Sequence, residues 1–256
     1  REKQTDRQTE VLCSSIAMAS NCFSFSLAKY LDNHLHSVFT NNGMEQRILK
    51  VDEETTIACW CSRTHQNDDE ESEKAGNIQD KKKKKKKKPC LLLIQGFATS
   101  SVWQWYPQIK PLQKSFRIFV PDLIFFGKSS TKSLHRSEVF QAQMMAKAME
   151  SMGIDKYNVA GTSYGGFVAF RMASLFPERI EKVVIANSGV CMGIQDKQEL
   201  LVRAKVNETA ELLLPQTPMA FKSLMSLSIA KIPFAIPSFI LNDLIQVKEA
   251  PNIIEY

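Results

Sequence analysis

The residues with the clearest chemical meaning lie at Gly161-Thr162-Ser163-Tyr164-Gly165-Gly166, a G-x-S-x-G string. A serine on a tight strand-to-helix turn has a strained backbone, which small residues at positions −2 and +2 accommodate. Such a turn lifts the hydroxyl clear of a sheet and sets it at the positive end of the following helix. The chemistry this suits is nucleophilic attack by Ser163, with Gly161, Gly165 and Gly166 letting the turn form. A second string, Gln95-Gly96-Phe97-Ala98, follows four apolar residues. There the backbone N–H of Phe97 could join that of Tyr164 to hold a developing oxyanion. Each string alone also has a bland reading, a glycine-rich turn next to a helix or a strand.

These strings need a scaffold, and the chain around them supplies a regular one. The run Leu91-Leu92-Leu93-Ile94 fits a strand buried on both faces of a parallel sheet. A helix is expected over 100–113, with Trp103 and Tyr106 on one side. Residues 116–120 form a second buried strand, closed by Pro121-Asp122. A helix over 137–152 follows, with Ser137 as its N-cap, then a strand at 157–160, a helix at 165–176 and a strand at 183–186. Strands alternating with helices of this length mean βαβ units, hence an α/β protein with a mostly parallel sheet flanked by helices. Upstream, 47–51 and 55–61 read as a hairpin around the acidic turn Asp52-Glu53-Glu54. Residues 188–256 break the alternation. They are apolar, helix-like and interrupted by Pro215, Pro218, Pro233 and Pro237, and read as an incomplete lid or cap of short helices.

Composition excludes several classes. With 256 residues, 44% apolar and 23% charged, the chain matches ordinary globular usage rather than a collagen-like, coiled-coil or fully disordered one. The net charge of +6 rests on the eight consecutive lysines at 81–88, without which it turns slightly negative. No basic face for nucleic acid is therefore expected. Residues 63–88 hold no apolar cluster, so they read as a disordered charged insertion between core segments 44–62 and 89–187. The six cysteines (Cys13, Cys22, Cys59, Cys61, Cys90, Cys191) show no paired spacing and fit reduced thiols of an intracellular, cytoplasmic protein. Neither a metal site nor a cofactor is expected. Residues 1–43 read as an extension. Its stretch 11–28 makes a poor signal segment, and Met18 makes a plausible start. Leu27, Leu31, Leu35, Val38 and Phe39 then repeat at helical spacing. That stripe can pack on the protein's own body, and the alternative is weak membrane-surface contact through residues 23–39 and the lid.

Taken in order, the segments Leu91-Leu92-Leu93-Ile94-Gln95-Gly96-Phe97, Trp103-Gln104-Trp105, Val120-Pro121-Asp122-Leu123, Phe125-Phe126-Gly127-Lys128-Ser129-Ser130 and Val159-Ala160-Gly161-Thr162-Ser163-Tyr164-Gly165-Gly166-Phe167 resemble the α/β-hydrolase fold superfamily. They are most similar to its plant members of the AB hydrolase-1 type. The resemblance covers roughly residues 44–62 and 89–256. It implies a serine hydrolase of carboxylic ester or acylglycerol-like substrates, with Ser163 as nucleophile and Phe97 and Tyr164 as backbone oxyanion donors. Gln95 stands where the family usually has His, and Ala98 where it often has Gly.

The family's order is nucleophile, acid, histidine, with the last two after the lid. All four histidines here (His34, His36, His65, His135) precede Ser163. The expectation is therefore a chain truncated before its last strands, without triad acid or base and inactive by itself. His135 is the one histidine in the regular α/β part. Asp196 lies some ten residues late for an alternative acid, and Asp122 reads as the cap of a turn. The rival readings are a non-catalytic ligand-binding protein or pseudoenzyme on the same fold, and a degenerate product. Three other strings carry little. Gly127-Lys128-Ser129 lacks the first glycine of a P-loop, and Asn207-Glu208-Thr209 is a sequon without a secretory context. Met219, Phe221, Met225, Phe234 and Phe239 either line an acyl pocket or pack the lid.

Overall fold

The computed structural model describes residues 27–63, 87–97, 100–228, 238, 240–242 and 245. The elements in chain order are α1 (Leu27–Asn41), β1 (Met44–Lys50), β2 (Thr55–Ser62), β3 (Cys90–Ile94), α2 (Ser101–Leu112), β4 (Arg117–Pro121), β5 (Ser130–Thr131), α3 (Glu138–Ser151), β6 (Tyr157–Thr162), α4 (Tyr164–Leu175), β7 (Ile180–Ala186), α5 (Ile194–Ala204), α6 (Thr209–Leu213) and α7 (Pro218–Ser228). The strands join in the order β1-β2-β4-β3-β6-β7, with β5 paired to β2. Pairing is parallel from β4 through β3 and β6 to β7, and antiparallel where β2 meets β1, β4 and β5. Residues 64–86 of the charged insertion, 11–26 of the signal-like stretch, and Ala98, Phe234 and Phe239 lie outside the described residues, His65 among them.

The apolar run of β3 explains the layering. Successive side chains of a strand point to opposite faces. Leu92 and Ile94 face a cluster built with Met145 and Met149 of α3 and Val168, Ala169 and Met172 of α4. Leu91 and Leu93 face the other side, among Val102, Trp105 and Ile109 of α2 and Leu35 and Phe39 of α1. A strand covered on both faces can afford no polar position, which is why it reads as a continuous hydrophobic run. Each fully buried Leu, Ile or Phe here contributes about 1.5–3 kcal/mol. The stripe of α1 is spent on the body: Phe39 is fully buried and meets the ring of Trp60 edge-on at 5.2 Å.

Helix starts follow local rules. Ser137 caps α3, its hydroxyl accepting from the Phe140 N–H at 3.2 Å, and Ser100 does the same for Trp103 at 3.3 Å on α2. The short β5 has no apolar signal. It is held by hydroxyl pairs, Thr55 with Thr131 at 2.8 Å and Thr56 with Ser130 at 3.0 Å. β7 differs from the other parallel strands in exposure: Val183, Val184 and Ile185 are 37%, 59% and 39% exposed. Beyond it, Phe221, Leu241 and Ile245 form a small cluster of their own with Met225.

Tyr157, at the start of β6, is fully buried, and its hydroxyl has no hydrogen-bond partner among the described residues. Burial pushes its pKa up to about 12. A folded pKa above the unfolded value near 10 means that this contribution is complete below pH 10 and is lost as pH rises toward 12. Tyr157→Phe is expected to be neutral or stabilising at pH 7. It should also hold its urea midpoint between pH 10 and 12, where the parent loses up to about 2–3 kcal/mol. Parallel midpoint-against-pH curves for the two proteins would contradict this.

Candidate active site

β6 ends at Thr162 and α4 begins at Tyr164, leaving Ser163 alone on the turn. Its backbone sits at φ 53°, ψ −119°. A left-handed conformation costs a non-glycine residue on the order of 1–3 kcal/mol, so the surroundings must hold it. Two backbone bonds do: the Ser163 N–H donates to the Ala186 carbonyl at 3.0 Å, and its own carbonyl accepts from the Gly166 N–H at 2.9 Å. The turn closes only because its flanks lack side chains. A Cβ on Gly161 would overlap the Gly165 carbonyl, and one on Gly165 would fall on the carbonyls of Ile94 and Gln95 at the end of β3. The Ser163 hydroxyl thus stands at the N-terminus of α4, where the aligned peptide dipoles favour negative charge. Among the described residues it has no hydrogen-bond partner.

The end of β3 forms the second wall. Gly96 turns its open side to the serine: a Cβ there would lie 3.2 Å from Ser163 Cβ, 3.4 Å from the Thr162 carbonyl oxygen and 3.5 Å from Gln104 Oε1. Phe97 meets the Tyr164 ring at 6.3 Å and the Phe126 ring at 5.6 Å, both near perpendicular. Edge-to-face pairs of this kind contribute about 0.5–1.5 kcal/mol each. The first ties together the two loops whose backbone N–H groups the sequence suggests as oxyanion donors, and the second joins Phe97 to the loop after β4. Gly161, Ser163, Tyr164, Gly165 and Gly166 are therefore brought together with Gly96 and Phe97.

The loop after β4 supports this wall. Asp122 is buried. Its carboxylate accepts from Ser101 Oγ at 2.5 Å and from the Lys128 N–H at 3.2 Å, so it ties the start of α2 to the Gly127 turn. Burial raises its pKa, and these hydrogen bonds oppose the rise. Asp122 does cap a turn, but it also reaches the neighbouring helix, which the sequence did not suggest. Gln141 on α3 clamps the same loop by accepting from the Ile124 N–H at 3.0 Å and donating to its carbonyl at 3.1 Å.

The other candidates have different work. His36 lies 3.5 Å from Asp32 and edge-on to Trp60 at 5.5 Å. His135 is exposed, with its ring 5.6 Å from that of Phe140. Asp196 accepts from the Gly193 N–H at 2.8 Å and caps α5. Among the described residues no hydrogen bond links a histidine or carboxylate to Ser163. Gln104 is the residue the sequence left without a role. It stands between two tryptophans, and only the fold places it beside Gly96.

The family model for the α/β hydrolase fold matches residues 89–235, more than half of the chain, and takes in every residue of this wall and turn. The chain belongs to the α/β hydrolase fold family. Among relatives within it, carboxylesterase YbfK of Bacillus subtilis is 31% identical over 98 residues, 38% of this chain and 33% of that protein. Epoxide hydrolase 4 of Mus musculus is 26% identical over 102 residues, 39% of this chain and 28% of its own. These matches span about a third of the length of the curated relatives or less. A crystal structure of a bacterial membrane phospholipase A has the same fold at a TM-score of 0.69 and 22% identity, covering 96% of this chain and 71% of that one. The α/β hydrolase sheet seen here, seven strands flanked by helices, agrees with that likeness.

Proposed function

We propose that this chain carries the nucleophile and oxyanion half of a serine hydrolase acting on carboxylic esters. The observation that supports it is Ser163 held at φ 53° on the β6–α4 turn, with its hydroxyl at a helix N-terminus and open to Gly96 and Phe97. A tetrahedral intermediate formed there would place its oxygen near the Phe97 and Tyr164 N–H groups, which supply charge stabilisation without a proton. A carboxylesterase among the relatives supports an ester substrate, alongside relatives named as carbamate hydrolases. For acylglycerol-like substrates, α5 to α7 would serve as a lid. Its exposed Ile194, Val202 and Met219 are the residues that would meet a lipid surface.

A second reading, a ligand-binding protein without turnover, is favoured by one observation: His36 and His135 are engaged away from the serine. A serine-directed fluorophosphonate in imidazole buffer, with imidazole as external base, separates the two. Mass spectrometry is expected to find Ser163 modified before any other serine. Modification spread evenly over exposed serines would reject the nucleophile and leave the binding reading.

A further inference from the structure

The loop after β4 holds an aromatic residue where glycine is the ordinary choice. The Phe126 N–H donates to the Leu123 carbonyl at 3.0 Å and closes a four-residue turn whose third residue, Phe125, has φ 74°. A positive φ at that place in a turn favours glycine or asparagine, because a Cβ crowds the backbone there. Such a conformation persists only where its surroundings over-determine it, and it gathers at sites whose geometry matters. Two grips from the start of α3 hold it. Gln141 takes both backbone groups of Ile124. Arg136 takes the next residue, with its guanidinium carbon 3.8 Å from the centre of the Phe125 ring. The guanidinium is itself fixed, because its Nη1 donates to the carbonyls of Ser133 at 2.8 Å and His135 at 3.2 Å. A cation held over a ring face is attracted by the negative charge of that face. Phe126, which follows the bend, is buried and meets the Phe97 ring at 5.6 Å.

We infer that Arg136 is a positioning residue for the oxyanion side of the site: it locks Phe125 in its left-handed turn, and that turn seats Phe126 against Phe97. This rests on the reading of Ser163 and of the Phe97 and Tyr164 N–H groups given above. Arg136 does not touch the reacting atoms and acts through the two aromatic residues. Without the cation the strained turn is free to relax, and Phe126 then stops fixing the loop that carries the Phe97 N–H. A donor stabilises developing charge most when it is held in place beforehand, so a loosened loop loses part of that effect.

The test follows the rate of fluorophosphonate modification of Ser163 in the full chain, in imidazole buffer. In that step the Ser163 Oγ bonds to phosphorus and fluoride leaves with the P–F electron pair. Imidazole takes the hydroxyl proton, and the phosphoryl oxygen gains charge in the transition state, where the donors act. Arg136→Met keeps the apolar stem and removes the cation. It is expected to slow the modification about fivefold, the worth of one half-exposed cation–π contact. Arg136→Lys returns a cation to the ring and is expected to restore the rate to within about twofold of the parent, a rescue that packing of the stem would not produce. Phe125→Leu removes the ring and is expected to slow the reaction equally, with the double variant no slower than either single one. Lys147→Met, which removes a cation farther along α3, is the control and should leave the rate unchanged. Rates are taken per folded molecule from circular dichroism melts, and if Arg136→Met fails to fold, Phe125→Leu decides. Equal rates for the parent and Arg136→Met, an Arg136→Lys as slow as Arg136→Met, or losses that add in the double variant would overturn the inference while Ser163 stays the nucleophile. A parent unmodified at Ser163 would reject the nucleophile, and the inference with it.

Discussion

Gly165→Ala will abolish folding of the chain or lower its stability by at least about 4 kcal/mol. The added methyl would land on the carbonyl oxygens of Ile94 and Gln95, which are backbone atoms of a strand buried on both faces. Repacking side chains around an extra methyl typically costs about 1–3 kcal/mol. Here nothing flexible can yield, so either β3 or α4 must move and open both core clusters. Gly153→Ala is the control. Its Cβ meets nothing within 4 Å, and its φ of 69° costs only the left-handed penalty of about 1–2 kcal/mol. Urea midpoints of the two variants compare them directly. Similar losses would mean that α4 and β3 do not approach so closely.

At neutral pH the chain should hydrolyse a short-chain chromogenic ester no faster than its Ser163→Ala variant. A serine hydroxyl is a weak nucleophile until an oriented base accepts its proton, and no described residue makes that bond to Ser163. Turn and donors without triad partners leave roughly 10³–10⁴-fold catalysis over water, far below the ~1 s⁻¹ of ordinary enzymes. Added imidazole should bring out a Ser163-dependent rate above the background of imidazole alone. A Ser163-dependent rate near 1 s⁻¹ without imidazole would show a resident base, and His135 would be the first residue to substitute.

How much of this was legible depended on the range of the interaction. The order of strands and helices from Cys90 to Ala186 follows from apolar runs and caps that lie within each segment, and the structure moves most of their ends by only a residue or two. The turn at Ser163 was readable because its glycines are local to it. β5 was not, since two residues held by hydroxyl pairs leave no periodic trace. The tie from Asp122 to Ser101 spans 21 positions and Gln104 meets Gly96 only through the packing of α2, so neither has a signature along one chain. The exposure of β7 was equally hidden. Its Val-Val-Ile run has the composition of a buried strand, and only the arrangement of its neighbours decides what covers it.

That exposure bears on how the protein behaves in the tube. β7 pairs with β6 along one side, and among the described residues no strand pairs with its other side, which carries the exposed Val183, Val184 and Ile185. Such a rim is a template on which another chain can add itself. Losses during purification should therefore rise with protein concentration rather than with temperature alone. Val184→Lys, at the most exposed of the three, is expected to slow them, because a charge on such a rim must be desolvated before a second strand can dock.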